Sequence, residues 1–436
     1  MTHMPDITGF SPAATAPRTA AGAISIGALL VFALALRVTA CFALPQTLQS
    51  DGLAYFTIAQ HMAQGQWATD NMGQHAFYSI GYPLVLTPFF ALFGAKVAVA
   101  IVVNLGLALI SGLMLVRVAR DSGLSALGQK LALLAYALWL PGIWNGTMLA
   151  RENLSTPLIL ALVWIALRIA QSGPRLSLAL AAGAVWGGAL LAGTSALMTV
   201  AAPALALAVA TRWRVSAMLA PLCALALGAG LVVSPWLYAT HQMLGHATLS
   251  TNSGFNLYVG NNDAATGRFV SIAATPVGPQ WKAMRADLGE MGATSALGRA
   301  ATQWIIANPE RVVALGLTKL GLFWAPNLPD RADFAASRTV ALIRMGEVAQ
   351  YLLFVGLGAF GLWSGALAGR ARAILLMAIS GFWGLHAAAY IIERYRDPIM
   401  PLVMVLAAGV LSDILTRRIR HNSAHTGAQG EASHAA

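Results

Sequence analysis

Asp51, Tyr55 and Ala59 recur every four residues in the run Ser50-Asp51-Gly52-Leu53-Ala54-Tyr55-Phe56-Thr57-Ile58-Ala59. That spacing puts them on one face of a short helix, with Asp51 at or beside its start. Two readings of Asp51 stand: an N-cap bonding the first free amides, or an ionised carboxylate that takes a proton from a hydroxyl. Glu152, directly after Arg151 at the head of an apolar run, reads locally as a helix cap offset by Arg151. Arg394 and Arg396 stand in Glu393-Arg394-Tyr395-Arg396-Asp397-Pro398 at the head of the last apolar run. Cations at such a position commonly lay their stems along lipid and keep their charge at the surface. Arg37 is different. It lies several residues inside the first apolar run and needs a carboxylate or a polar cavity.

Other chemistries have little support. His61, His75, His241 and His246 lack the spacing of a zinc motif. No phosphate-cradling glycine loop with Lys and Ser or Thr occurs, and no serine nucleophile elbow. Cys41 and Cys223 lie in apolar runs and read as small hydrophobes. Asp70 reads as a solvated loop carboxylate.

The elements that must position these residues are membrane spans. Of 436 residues, 58% are hydrophobic and 10% charged, with mean hydropathy +0.67, against roughly 25% charged in a soluble domain. Lipid must therefore solvate much of the chain. The net charge of +11 does not argue for nucleic acid, because many of the basic residues sit in short loops. About ten spans are expected, at 22–44, 96–117, 127–147, 153–170, 177–193, 196–211, 216–237, 342–363, 373–391 and 397–415. The first reads as uncleaved. Residues 1–20 and 420–436 read as disordered tails around a membrane domain at 21–419. Arg117, Arg120, Lys130, Arg168, Arg175, Arg212, Arg214, Arg370, Arg372, Arg417, Arg418 and Arg420 all fall on one side if both termini are cytoplasmic. Segments 45–95 and 238–341 are then extracytoplasmic. Within them, 79–94 and 303–325 are apolar pieces whose crossing is undecided, the second carrying Trp304 and Trp324 at headgroup depth. The 42 glycines fit close packing between spans.

Three stretches carry a family resemblance. Arg37 near the outer end of the first span, Asp51, Tyr55 and Ala59, then Gly65, Trp67 and Tyr78-Ser79-Ile80-Gly81-Tyr82-Pro83-Leu84 form the first. Ser234-Pro235-Trp236, Ser250 to Asn262 and Ala265-Thr266-Gly267 form the second. Glu393 to Pro398 with Pro401 forms the third. Together they resemble the GT-C membrane glycosyltransferases, in particular bacterial relatives of protein O-mannosyltransferases and aminoarabinose transferases, over most of 22–415. The resemblance implies an all-α polytopic bundle and an inverting sugar transfer at the extracytoplasmic face of the bacterial inner membrane. The donor would be a polyprenyl-phosphate sugar, and the acceptor hydroxyl could belong to lipid A, another glycan, a lipid or a protein.

The family's first-loop Asp is its base, and the matching position is Asp51. Many members have a second acid directly after it, where this chain has Gly52. Another acid recurs in the next external loop, matching Glu152. The donor phosphate calls for arginines, which offer bidentate hydrogen bonds and a charge that does not titrate. Arg394 and Arg396 come first for that role, with Arg37 beside them, while Tyr55, Tyr82, Asn256 and Asn261 are expected to line the substrate path. No cofactor is demanded; a divalent metal would look to His75 or Glu152. The rival reading is a transporter or lipid flippase, which predicts intramembrane charges and broken helices in paired repeats. No repeated half is visible. An inactive relative acting in assembly is a third, kept open by Gly52.

Overall fold

The computed structural model describes residues 24–44 and 47–434, the side chains of Arg420 and of residues after His421 excepted. The expected tail at 1–20 lies outside the described residues. The chain is helical: α1 Ile26–Ala43, α2 Ser50–Ala63, α3 Gly81–Phe93, α4 Val97–Asp121, α5 Ala126–Leu138, α6 Leu140–Gly146, α7 Glu152–Ser172, α8 Leu176–Ala192, α9 Ala201–Ala210, α10 Val215–Leu244, α11 Ser253–Gly260, α12 Trp281–Ala307, α13 Pro309–Trp324, α14 Arg331–Ala336, α15 Arg338–Gly361, α16 Gly369–His386 and α17 Met400–His434. Short 3-10 segments cover Thr194–Val200 and Glu393–Ile399. Among the described residues the β pairing is one isolated bridge, Arg268 with Ile391.

Among the described residues, six helical segments are long and apolar enough to cross a membrane: α1, α4, α7, α10, α15 and Glu393–Ile419. A seventh is the pair α5–α6, bent by 57° at Trp139. Helices α3, α8 and Thr194–Ala210 are apolar but shorter. Ten spans were expected. The expected fifth and sixth spans are the short pair, and α16 coincides with the expected ninth. The last helix continues to His434, through most of the polar segment expected as a tail.

Burial sorts the spans. Of the most apolar window, 72% is buried in Glu393–Ile419 and 61% in α7, against 17% in α15 and 22% in α1. The first two form the centre of the bundle, and α1 and α15 present their sides outward. Small residues allow the closest approach: an added Cβ at Gly183 of α8 would overlap the Leu225 carbonyl of α10, a backbone contact of the kind that holds helices together in lipid.

Loops are tied onto this bundle by side chains that replace missing backbone partners. The Glu290 carboxylate of α12 accepts from the His75 amide (2.7 Å), the Ala76 amide (2.9 Å) and the Thr251 hydroxyl (2.6 Å). Asp70 is buried, not solvated as its loop position suggested. Its Oδ1 accepts from the Met72 and Gln74 amides at 2.7 and 2.8 Å, an Asx turn on which the loop folds back. Burial raises its pKa.

Candidate active site

The 3-10 segment Glu393–Ile399 decides which of the terminal charges reach the site. At three residues per turn, positions three apart share a face. Arg394 and Asp397 therefore point toward the start of α7, and Arg396 points away. Pro398 lies inside this segment and withholds an amide from any α-helical ladder.

Arg394 forms an ion pair with Asp51, and its Nε lies 3.8 Å from Glu152 Oε1. Arg151 Nε lies 3.8 Å from the same Glu152 oxygen. Two carboxylates and two guanidiniums thus form one cluster, contributed by α2, the α6–α7 connection, the head of α7 and the head of the last span. Asp51 and Arg394 are each 31% exposed in their side chains, while Glu152 is 6% exposed. The outer pair meets solvent and the inner acid does not.

Asp51 is not the helix cap. Helix α2 begins at Ser50 with Gln49 in the cap position and no side-chain cap bond, so Asp51 lies in the first turn with its carboxylate free for Arg394. Ser50 holds φ at 47°, a left-handed conformation that costs a β-carbon-bearing residue about 1–3 kcal/mol and turns the chain so that Asp51 faces the cluster. A Cβ at Gly52 would lie 3.2 Å from the Leu149 carbonyl oxygen. A larger side chain there would crowd the Leu149 backbone.

Tyr55 is buried one turn below Asp51, edge-on to Tyr78 and Tyr82 at 5.7 and 5.6 Å. Burial raises its pKa, opposed by the positive charge of Arg151, so it is a neutral phenol beside the charges. Tyr82 serves the scaffold: its hydroxyl donates to Asn104 (2.7 Å), whose amide donates to the Met148 carbonyl (2.8 Å) and so steadies the approach to Arg151 and Glu152.

Arg37 and Arg396 stand apart from the cluster. Arg37, 1% exposed, donates to the carbonyls of Ala33 (3.0 Å) and Tyr136 (3.2 Å) and lies 4.5 Å above the Tyr136 ring. Among the described residues no carboxylate pairs with it. Arg396 donates to the Phe323 and Ala325 carbonyls at 3.2 and 2.6 Å and stacks 4.0 Å over Tyr351. Asn261 is buried and donates to the Leu257 and Ala388 carbonyls, while accepting from Lys319 Nζ at 3.1 Å. Asn256, by contrast, lines an open cavity and accepts from the Tyr390 hydroxyl at 3.1 Å.

That cavity, about 240 Å³, is lined by Arg151, Asn256, Tyr390 and Tyr395 among others. A smaller enclosed one of about 40 Å³ lies against Glu152, Asn145 and Asp397, with Asn145 donating to Asp397 at 2.7 Å. The segment after α11 is held over this region where the Ile391 amide donates to the Gly267 carbonyl (2.9 Å) and Arg268 pairs with Glu393. Sequence reasoning passed over Arg151, Tyr390, Tyr395 and Asp397 as site residues. The adjacency of Arg151 to Glu152 and the density of charge at 393–397 were the available signals.

Among the described residues, no three His, Cys, Asp or Glu gather in a metal-binding group. His75 is tied elsewhere, its amide on Glu290 and its Nδ1 within 2.9 Å of the Ala68 carbonyl.

No protein-family model and no curated protein matches the chain by sequence. Solved structures do match in shape. The Archaeoglobus fulgidus oligosaccharyltransferase AglB, in complex with an inhibitory peptide and a dolichol-phosphate, aligns over 91% of this chain at 11% identity and a TM-score of 0.51. Its apo form aligns over 92% at 12% identity and 0.54. The chain shares the fold of that oligosaccharyltransferase. It spans about half of that enzyme, 52% of its length in both forms. ArnT from Cupriavidus metallidurans, bound to undecaprenyl phosphate, aligns over 90% of this chain and 78% of its own, at 14% identity and a TM-score of 0.45. In this chain, the ion-paired cluster is where the first loop, the Arg151–Glu152 connection and the last span converge.

Proposed function

We propose that this protein is a membrane glycosyltransferase that moves a sugar from a polyprenyl-phosphate carrier to an extracytoplasmic hydroxyl, with inversion. The observation that carries the reading is the contact between Asp51 and Arg394, residues 343 positions apart, on a GT-C fold. Asp51 accepts the proton of the acceptor hydroxyl as that oxygen attacks the sugar carbon. The bond to the phosphate breaks on the opposite face, and Arg394 offsets the charge that develops on the departing oxygen. Glu152 keeps Arg394 and Arg151 oriented from below. The acceptor is a hydroxyl of lipid A, another glycan, a lipid or a protein, and the site faces the periplasmic side of a bacterial inner membrane with both termini cytoplasmic. Support for the carrier comes from the similarly folded oligosaccharyltransferase, whose complex contains a dolichol-phosphate.

The test is donor consumption by purified protein across a panel of polyprenyl-phosphate sugars, with Asp51→Asn as control. Wild-type turnover that survives unchanged in the Asn variant overturns Asp51 as base. The bend of 57° between α5 and α6 beside Arg37 is the feature that a transporter would share. Substrate movement across proteoliposomes without donor cleavage would favour that second reading.

A further inference from the structure

The two guanidiniums of the cluster are not equivalent. Arg394 is engaged by Asp51 and backed by Glu152. Among the described residues, Arg151 has only the long contact of 3.8 Å with Glu152 and a place 5.7 Å from the Tyr395 ring centre. Arg151, with its side chain 21% exposed, lines the cavity of about 240 Å³, which Asp51 does not line. The hydroxyls of Thr194 and Ser195 line the same cavity and have no protein partner among the described residues. Gly193 leaves room beside them, since an added Cβ would lie 3.2 Å from Arg151 Nη1. Tyr390, Tyr395 and Asn256 line it as well.

A half-buried, weakly paired guanidinium beside two unsatisfied hydroxyls suits a phosphate oxygen, which accepts bidentate charge-assisted bonds. Aromatic faces and an amide suit the ring and hydroxyls of a sugar. The volume is below the range of about 300–1,000 Å³ for clefts that hold drug-sized ligands, so it suits one small ring better than a chain of them.

We infer that Arg151, with Thr194 and Ser195, holds the donor phosphate in the resting complex, and that this cavity takes a single sugar carried on it. The inference rests on the glycosyltransferase reading and adds a division of labour. Arg151 binds the ground state, and Arg394 acts on the base and the developing charge.

The probe is a water-dispersible short-chain polyprenyl phosphate, titrated into the purified full chain in detergent, with inorganic phosphate and phosphatidylglycerol as competitors. Arg151→Gln should weaken binding by about tenfold or more, and Arg394→Gln by less than about threefold. Ser195→Phe, which fills the cavity and keeps Arg151, should also block binding. Arg151→Lys should recover only part, because an ammonium lacks the planar fork. Neither competitor should displace the probe at equal concentration.

Equal binding by wild type and Arg151→Gln, or loss confined to Arg394→Gln, overturns the inference. So does displacement by phosphatidylglycerol, which would make this a general anionic-lipid site. If Arg151→Gln does not fold, undiminished binding by Ser195→Phe overturns it instead. A wild type that binds no polyprenyl phosphate overturns the glycosyltransferase reading itself. Wild-type binding without dependence on Arg151 overturns the inference alone.

Discussion

Two groups of cations in this molecule differ in what neutralises them. Arg151 and Arg394 share Asp51 and Glu152 and are partly open to solvent. Arg37, Arg396 and Lys319 are almost fully buried and rest on backbone carbonyls, ring faces or an amide oxygen. A carbonyl belongs to the fold and cannot leave, so a cation bound to it is a brace. A side-chain carboxylate can exchange its partner for a substrate group, and one with solvent on one side can be reached. Intramembrane charge alone therefore does not mark a site; mobile counter-charge with access does.

The sharpest test of the comparison is in the exchangeable group. Asp51→Asn is expected to lower transfer by about 10²–10⁴-fold, the usual worth of a positioned base, with unchanged membrane insertion and thermal unfolding. Arg394→Gln should lower kcat by about 10²–10³-fold, as for loss of one charge-stabilising donor, with the donor KM nearly constant. A KM effect equal to the kcat effect would place Arg394 with Arg151 instead.

The braces should respond in stability. Arg37→Ala removes two carbonyl bonds and leaves a cavity behind the α5–α6 bend, so a loss of about 3 kcal/mol or more is expected in denaturant unfolding. Lys319 supplies a pH test. Burial pushes its ammonium down to about 8 from 10.5, so the unfolded chain binds more protons than the folded one between those values. Stability should rise with pH across that window, measured as Tm in detergent, and Lys319→Met should abolish the rise. The smallest effect belongs to the exposed pair of Arg311 and Asp263, 46% and 70% exposed. Asp263→Asn should change stability by about 0–1 kcal/mol and less at high salt.

Much of this was legible without coordinates. Apolar runs and sparse charge mean lipid-solvated helices whatever the tertiary arrangement, since backbone polar groups in lipid must be satisfied within the segment. Asp51, Glu152 and Arg394 could be named as candidates through the family resemblance, while local chemistry alone left them as helix caps or a snorkelling cation. Their meeting could not be read, nor the placement of Arg396 and Arg37 apart from it, because periodicity reports which residues share a face of one helix and nothing about the facing helix. Arg394 and Arg396 look alike in sequence. A 3-10 turn around Pro398 sends one to Asp51 and the other to the Phe323 and Ala325 carbonyls. Local chemistry determined the membrane class, and the resemblance supplied the list of candidates. Long-range packing, which brings residue 51 to residue 394 and seats Arg151 on a cavity, alone decided which of them meet.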